Sequence, residues 1–283
     1  MGNQAVLIST IDLISVLLYN PIMKIILLGD THYGYSKNSF KIHNNFLPMI
    51  AQQQFDLIVH VGDWGTSKQK QLAKALELFR KYLPDVPILG VRGNHDFWDH
   101  KFIWDSYRDI TDGHRRIFEY YKIHYLQNNP YYCEKDGEQF VFAGFDGWYY
   151  HEMPPTNDKN WMPHFIDGEY FHRAMSRQAH NALDKILNID ISNKTAVCVT
   201  HFGPTTEAPI NLPFCANPMY LTMIAEKFDF LLYGHSHLAT DFMYENCRMI
   251  NPGGHYDQPA FKIIELNKSS CEHIGYDYRQ VQK

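Results

Sequence analysis

At residues 91–96 the chain reads Val91-Arg92-Gly93-Asn94-His95-Asp96. An apolar run, 87–91, precedes Arg92 and predicts a buried strand that ends there. Asn94 and His95 are therefore expected on the loop at the carboxyl end of a strand, which is where open α/β sheets bind ligands. Because Gly, Asn and Asp are also ordinary turn formers, this loop alone does not indicate a function.

Four other apolar runs also end directly in Asp or His. They are 24–29 before Asp30-Thr31-His32, 56–61 before Gly62-Asp63, 195–200 before His201, and 228–233 before Gly234-His235-Ser236-His237. Segments with helical spacing lie between these runs, at 40–53, 68–82, 172–187 and 219–227. The first of these helices is expected to have a buried stripe of Phe40, Phe46, Leu47 and Ile50. This alternation of strands and helices predicts βαβ units and a largely parallel sheet, and so an α/β fold.

The loop residues include a set of typical metal ligands: Asp30, His32, Asp63, Asn94, His201, His235 and His237. Residues two apart on an extended segment point to the same side, so each D-x-H or H-x-H pair is expected to converge. The loops contain no cysteine, which disfavours a structural zinc site and favours Mn, Fe or Zn with open coordination positions. Any one of these residues, taken alone, is more often a structural histidine or a turn-forming aspartate than a metal ligand. Five such loops together favour a two-metal site with a bridging carboxylate.

The composition is that of an ordinary globular protein. With 283 residues, 45% hydrophobic and 20% charged, the chain can form one large core or two small ones without disulfides. A formal charge of -5 and a pI near 6.3 disfavour the broad basic surface of a nucleic-acid-binding protein. The five cysteines have no C-x-x-C spacing and suit reduced thiols, so we expect a cytoplasmic protein.

Residues 1–22 are expected to be an extension that is not native to the domain. Their apolar part is short for a membrane span and contains Asp12. No basic residue precedes it and no clear cleavage site follows, which disfavours a secretory signal. Because a strand begins directly after Met23, we expect Met23 to be the natural start and 23–283 to form a single domain.

Two segments, 97–132 and 148–171, are aromatic and lack clear periodicity. The second is also rich in proline and is typical of a lid or binding loop. Its aromatic residues could stack a nucleobase or pack such a lid; they are Trp148, Tyr149, Tyr150 and Trp161. A strand at 139–145 ends in Asp146-Gly147. Near the end, 248–251 and 260–266 are expected to be antiparallel strands joined by a turn that opens at Asn251-Pro252-Gly253-Gly254.

The ordered series of motifs resembles the calcineurin-like metallophosphoesterases. The series is Asp30-x-His32, Gly62-Asp63, Gly93-Asn94-His95-Asp96, His201 and Gly234-His235-x-His237. The resemblance implies a mixed two-sheet sandwich flanked by helices, with two metal ions at one edge. It also implies the ligands of each ion: Asp30, His32 and His237 for the first, Asn94, His201 and His235 for the second, with Asp63 bridging both.

The resemblance further assigns catalytic roles. His95 would contact the phosphoryl group or the leaving oxygen, and Asp96 would orient His95. Two ions roughly 3.5–4 Å apart lower the pKa of a shared water, so that hydroxide can attack phosphorus in line. They also neutralise charge on the phosphoryl oxygens.

The chain departs from the protein-phosphatase branch of this family at the second loop. That branch carries Gly-Asp-x-x-Asp-Arg-Gly, whereas here Gly62-Asp63 continues as Trp64-Gly65-Thr66-Ser67. Phosphoprotein hydrolysis is therefore disfavoured. Arg92 could supply the missing contact to phosphate, or it could be a surface or helix-capping residue.

The sequence thus predicts a metal-dependent phosphoesterase that acts on a small phosphate ester or diester, a nucleotide among them. Its cofactors would be two divalent ions, with Mn favoured over Fe or Zn. One alternative is a non-catalytic metal-binding scaffold of the same fold, which the complete ligand set disfavours. Another is a nuclease, which the acidic charge disfavours. No protein partner and no membrane association is implied.

Overall fold

Buried apolar strands alternate with amphipathic helices along the chain. The computed structural model describes residues 22–66, 69–97, 107–149, 168–203 and 219–267. Within these ranges the elements are β1 Met23–Gly29, α1 Ser39–Ala51, β2 Leu57–His60, α2 Gln69–Tyr82, β3 Ile88–Gly90, α3 Asn94–Phe97, α4 Tyr107–Tyr120, β4 His124–Tyr125, β5 Tyr131–Lys135, β6 Glu138–Phe145, α5 Gly168–Leu187, β7 Lys194–Phe202, α6 Met219–Ala225, β8 Phe230–Gly234, β9 Thr240–Tyr244, β10 Cys247–Asn251 and β11 Ala260–Leu266.

The strands form two mixed sheets. The first has the order β11-β1-β2-β3-β4, in which β1 to β4 are parallel and β11 is antiparallel at the edge. The second has the order β5-β6-β7-β8-β10-β9, in which the four central strands are parallel and both edge strands antiparallel. The predicted α/β sandwich of two mixed sheets with flanking helices is confirmed.

The central strands are buried on both faces. On β1, Leu27 packs with residues of the second sheet, whereas Leu28 packs with the apolar faces of α1 and α2. On β6, Phe142 faces the first sheet, whereas Val141 packs with α5 and α6. This period of two explains why the strand sequences read as continuous apolar runs. Strands held from both sides give the loops at their ends a rigid base.

Three local expectations differ from the structure. The strands at 247–251 and 260–266 do not pair with each other, because β10 lies between β8 and β9 in the second sheet while β11 pairs with β1 in the first. The turn after Asn251 therefore connects the two sheets. In the aromatic segment after 97, where no clear period was visible, helix α4 forms. Phe40, expected in the buried stripe of α1, is 58% exposed.

Some sequence-based expectations concern residues that the structure does not describe. These include most of the N-terminal extension, as well as Tyr150 and Trp161 of the proposed lid. Cys133 and Cys198 are free thiols, as expected. Among the helices of the described ranges, none is both long enough and apolar enough to cross a bilayer.

Candidate metal centre

The predicted metal ligands lie together at the carboxyl ends of strands from both sheets. They are Asp30 and His32 after β1, Asp63 after β2, Asn94 at the start of α3, His201 near the end of β7, and His235 and His237 after β8. The side chains from the first sheet and from β7 are buried, and the two histidines after β8 are partly exposed. The parallel strands of the two sheets therefore bring seven dispersed residues to one edge.

A first group consists of Asp30, His32 and His237, whose ligand atoms all lie within 4.8 Å of one another. Nε2 of His32 is 3.1 Å from Nε2 of His237. Nε2 of His237 is in turn 3.4 Å from Oδ1 of Asp30. The Asp30 carboxylate also accepts the backbone N–H of His235, at 3.1 and 3.2 Å to its two oxygens. This contact ties the carboxylate to the loop that carries His237.

A second group consists of Asn94, His201 and His235. Nδ1–H of His201 donates to the carbonyl of Val61 at 2.8 Å, which points Nε2 towards the site. That Nε2 lies 3.0 Å from Oδ1 of Asn94. Oδ1 of Asn94 is also 3.1 Å from Nδ1 of His235. The three side chains thus converge on one point from three different strands.

Asp63 lies between the two groups. Its Oδ2 is 3.7 Å from Nε2 of His32 and 3.5 Å from Nε2 of His201. Its Oδ1 accepts the backbone N–H of His95 at 2.9 Å, which fixes the rotation of the carboxylate. Asp63 belongs to two of the clusters that could hold a metal ion, one with His32 and His95 and one with Asp30 and His201. A single carboxylate is therefore placed to bridge two ions.

The protonation states of the histidines favour metal binding. Burial, together with the neighbouring imidazoles, holds the pKa of His32 and His235 well below the ordinary value for histidine. Burial also lowers the pKa of His201. These rings are therefore neutral near pH 7, and a neutral imidazole offers a lone pair to a metal.

The contacts between these side chains also fit metal ions. Since Nδ1 of neutral His201 carries the proton, its Nε2 and Oδ1 of Asn94 are two acceptors only 3.0 Å apart. Nδ1 of His32 is buried and has no hydrogen-bond partner in the part of the chain that the structure describes. A cation between the acceptors would relieve their mutual repulsion, so the donor set fits divalent ions.

The backbone brings the ligands together in a different way from that expected. Five of them have left-handed φ angles: Asp30 51°, His32 43°, Asp63 57°, His235 68° and His237 58°. The D-x-H and H-x-H segments are therefore not extended, and the expectation that an extended chain aims both side chains at one side is wrong. The pairs converge because both residues of each pair adopt the left-handed turn conformation.

Asp96 does not have the contacts expected of a residue that orients His95. Its Oδ2 accepts backbone N–H groups from Gly93 at 2.9 Å and Asp63 at 3.0 Å, with Trp64 at 3.4 Å. Its Oδ1 accepts the N–H of Gly65 at 3.1 Å. The carboxylate thus binds the loop after β2 to the loop after β3, and it positions Asp63 rather than the ring of His95.

The side chain of Arg92 is buried in an ion pair. Its side chain is 0% exposed, and Nε and Nη2 donate to Oδ2 of Asp146 at 3.1 and 2.8 Å. Nη1 lies 3.3 Å from Nδ1 of His114, and the guanidinium also covers the ring of Phe97. The expected phosphate contact is therefore not supported, and neither is the surface or helix-capping alternative. Arg92 is a buried ion-pair residue that holds the third loop in place.

His95 is half-buried beside the first group. Its ring is 4.6 Å from the ring of His32, edge to face. Burial, reinforced by His201 and His237, lowers the pKa of His95 to about 3, so the ring is neutral near pH 7. A neutral imidazole can donate one hydrogen bond and accept another.

Two buried residues that position the site were not identified from the sequence. Asp146 also accepts Arg92 N–H at 2.8 Å and the Tyr125 hydroxyl at 2.6 Å, and its carbonyl accepts the N–H of His201 at 3.3 Å. His60 accepts the N–H of Gly62 at 3.2 Å and lies 3.1 Å from the hydroxyl of Thr31. Asp146 shows the same signal as the ligands, a carboxylate directly after a strand. His60 lies inside an apolar run, which hides it.

The aromatic residues expected to stack a base or to pack a lid can be assigned in part. Trp148 and Tyr149 are each 2% exposed. Trp148 donates from Nε1 to His172 at 3.1 Å, and Tyr149 packs edge to face against His235 and Phe202. These two residues therefore belong to the core beneath the site.

Comparison with known proteins agrees with this geometry. A sequence model of the calcineurin-like phosphoesterase superfamily domain matches residues 23–264. The structure is similar to that of a phosphopantetheinyl hydrolase from Mycobacterium tuberculosis, with a TM-score of 0.60 and 14% identity over 84% of this chain and 92% of that one. A dimetal phosphatase from Danio rerio has a TM-score of 0.55 and 15% identity over 87% of this chain and 93% of its own.

A putative 5'-nucleotidase from Staphylococcus aureus is also similar, with a TM-score of 0.54 and 15% identity over 87% of this chain and 51% of that one. At such identities the structural similarity shows the fold alone. No curated protein matches the chain in sequence. The matched family model spans most of the chain and contains every predicted ligand. The chain therefore belongs to the calcineurin-like phosphoesterase superfamily and is a hydrolase of phosphoric esters.

Proposed function

We propose that this protein hydrolyses a small phosphate ester or diester and uses two divalent metal ions as cofactors. The observation that carries the proposal is the convergence of buried carboxylate and imidazole groups around Asp63, whose Oδ2 lies 3.7 and 3.5 Å from imidazole nitrogens of the two groups. Such a cluster of acceptors is unfavourable without a cation. The family of the chain supports the same reaction class.

The proposed ligands follow the two groups. Asp30, His32 and His237 would hold one ion, Asn94, His201 and His235 the other, and Asp63 both. When bound, the ions would supply an activated water as nucleophile and neutralise charge on the phosphoryl oxygens. The acceptor set of imidazole, carboxylate and amide groups, without thiolate, favours Mn and also suits Fe or Zn.

His95 would act on the leaving group. Its backbone N–H is fixed on Asp63, at 2.9 Å from Oδ1, so its ring position depends on the bridging carboxylate itself. Because the pKa of His95 is lowered to about 3, the ring would act as a neutral hydrogen-bond donor to the departing oxygen rather than as an imidazolium. Nearby cations would lower the pKa further, since like charges repel. Donation of this kind stabilises negative charge as the ester bond breaks.

The remaining features support a small-molecule phosphoester as substrate. Within the described residues, Arg92 does not take the place of the phosphate-binding arginine of the protein-phosphatase branch, since it is buried against Asp146. The acidic charge of the chain disfavours nucleic acid as the substrate. The free thiols are consistent with a cytoplasmic location, which we retain as part of the proposal.

The proposal is tested by hydrolysis of p-nitrophenyl phosphate and bis-p-nitrophenyl phosphate. Chelated protein should be inactive, and added Mn should restore turnover of at least one substrate with two ions bound per chain. The ratio of the two rates would separate monoester from diester preference. Asp63→Asn should abolish turnover, whereas the control Asp190→Asn, which removes an exposed carboxylate, should not. Two bound ions without turnover of any phosphoester would favour the non-catalytic scaffold instead.

A further inference from the structure

Two tyrosines lie beside the metal centre, next to His32. The ring of Tyr256, on the turn after β10, has its centroid 4.4 Å from that of His32 and 5.9 Å from that of His95. Tyr35, on the loop after β1, stacks on Tyr256 with centroids 4.2 Å apart and planes at 23°. A continuous aromatic surface therefore leads outward from the ligands of the first group.

This surface has a fixed geometry. His255 and Gln258 exchange backbone hydrogen bonds and close a four-residue turn with Tyr256 at its tip. The next residue of the turn, Asp257, accepts a hydrogen bond from the hydroxyl of Ser36 at 2.8 Å. Since Ser36 directly follows Tyr35, this bond ties the two tyrosine-bearing loops together. The two rings are thus held by a polar contact that is independent of their own stacking.

The exposed ring of the pair is Tyr35. It is 53% exposed although it also lies against Tyr256, whereas Trp148 and Tyr149 are 2% exposed. Tyr35 therefore presents aromatic surface to solvent at the edge of the site. An exposed aromatic ring on a supported loop can accept a planar ligand by stacking.

We propose that Tyr35 and Tyr256 form a stacking subsite for a planar group on the leaving side of the phosphoester, with a nucleobase as its chemical class. The inference rests on the proposed function and deepens it. His95, the proposed donor to the leaving oxygen, lies next to Tyr256, so a group attached to that oxygen extends towards the tyrosine pair. Stacking distinguishes planar from aliphatic groups, and it is tolerant of which base is bound because every base has a π face.

The test compares AMP with ribose 5-phosphate, which share the scissile bond and the leaving hydroxyl and differ only in the adenine. The wild-type protein should have a higher kcat/KM for AMP. Tyr35→Ala should lower kcat/KM for AMP about tenfold, mainly through KM, because stacking of one base on an aromatic ring is worth about that factor. The value for ribose 5-phosphate should stay within about twofold of wild type by the same reasoning.

Two further variants separate stacking from a structural effect. Tyr35→Trp keeps an aromatic face and should restore the preference for AMP. Tyr132→Ala removes a ring with the same 53% exposure from the edge strand β5 and should leave kcat/KM unchanged for both substrates. The subsite is refuted if Tyr35→Ala lowers kcat/KM equally for both substrates. It is also refuted if the wild-type protein hydrolyses AMP and ribose 5-phosphate equally well.

A binding measurement distinguishes failure of the subsite from failure of the proposed function. Calorimetry with adenosine and with ribose on Mn-loaded protein requires no turnover. Weaker binding of adenosine to Tyr35→Ala than to wild type, by about tenfold, supports the subsite even if no phosphoester is hydrolysed. If wild type does not bind adenosine more tightly than ribose, the subsite is overturned, whether or not the protein hydrolyses phosphoesters.

Discussion

Replacement of Arg92 by Met tests whether this residue is structural or binds phosphate. Its guanidinium is 0% exposed and donates twice to Oδ2 of Asp146, at 3.1 and 2.8 Å. Met has a similar apolar stem but no charge. Among the described residues, the substitution would leave the buried carboxylate of Asp146 with two donors, the backbone N–H of residue 92 and the Tyr125 hydroxyl.

The expected loss of stability can be estimated from these contacts. Hydrogen bonds to charged groups contribute about 1.5–3 kcal/mol each, and two are removed. Breaking a buried ion pair by deleting one partner costs about 3–5 kcal/mol, because the remaining charge is unpaired. We therefore expect Arg92→Met to lower the free energy of unfolding by about 3–5 kcal/mol. Because Asp146 also contacts the N–H of His201, metal affinity should fall as well.

The assay is denaturant unfolding of the metal-free protein, followed by steady-state kinetics of the metal-loaded protein. The matched control is Arg248→Met, since Arg248 also donates twice to an aspartate, Asp241, at 2.9 and 3.0 Å but lies nearer the surface. Arg248→Met should lower the free energy of unfolding by about 1 kcal/mol, as for a solvent-screened ion pair. Equal losses of unfolding free energy in the two variants would refute the structural role of Arg92. A tenfold rise in KM for Arg92→Met with unchanged stability would also refute it and would favour a role in phosphate binding.

Three further predictions concern the site and its surroundings. Asp63→Ala should remove bound metal and activity, whereas His95→Ala should keep two metals and lower kcat about 10²–10⁴-fold; equal metal loss in both, measured by elemental analysis, would contradict these roles. Gly93→Ala should abolish activity because its methyl group would collide with Oδ1 of Asp63, whereas Gly137→Ala, whose methyl group meets nothing within 4 Å, should leave activity unchanged. Burial lowers the pKa of His114 in the folded protein. Below about pH 6.5 this histidine is therefore protonated in the unfolded chain but not in the folded one, and the metal-free protein should lose stability as the pH falls. In unfolding measurements across pH, His114→Gln should reduce that slope by up to about 1.4 kcal/mol per pH unit, and an unchanged slope would exclude a neutral buried His114.

The position of the site could be predicted from the sequence because it depends only on which residues directly follow the strands. An apolar run followed by Asp or His places a ligand at a strand end, and parallel strands bring such ends to the same edge. The roles of Arg92 and Asp96 could not be predicted in this way. Each lies within three residues of Asn94 in the sequence, yet Arg92 contacts Asp146 and Asp96 contacts the backbone of the second loop. Local sequence does not specify which distant loop a side chain will meet.

The same limit applies to the fold. Strands with strong apolar runs, such as β1 and β7, were located because burial on both faces leaves a continuous signal. The pairing partners of the last two strands could not be predicted, because β10 and β11 are adjacent in sequence but belong to different sheets. A turn of two glycines with φ angles of 75° and 105°, Gly253 and Gly254, directs the chain from one sheet to the other. Sequence indicates a turn at that point, but not the direction in which the chain leaves it.

The strain at the centre gives an independent reason to regard it as functional. Left-handed backbone costs a residue other than glycine on the order of 1 kcal/mol, and five ligands adopt it. Part of this cost is offset because the first two loops pair with each other, from Asp30 N–H to Gly62 O and from His32 N–H to Asp63 O, both at 3.0 Å. Glycine at these positions would relieve the strain but would remove the ligand. Binding of the proposed metal ions to these side chains would offset the rest of this conformational cost.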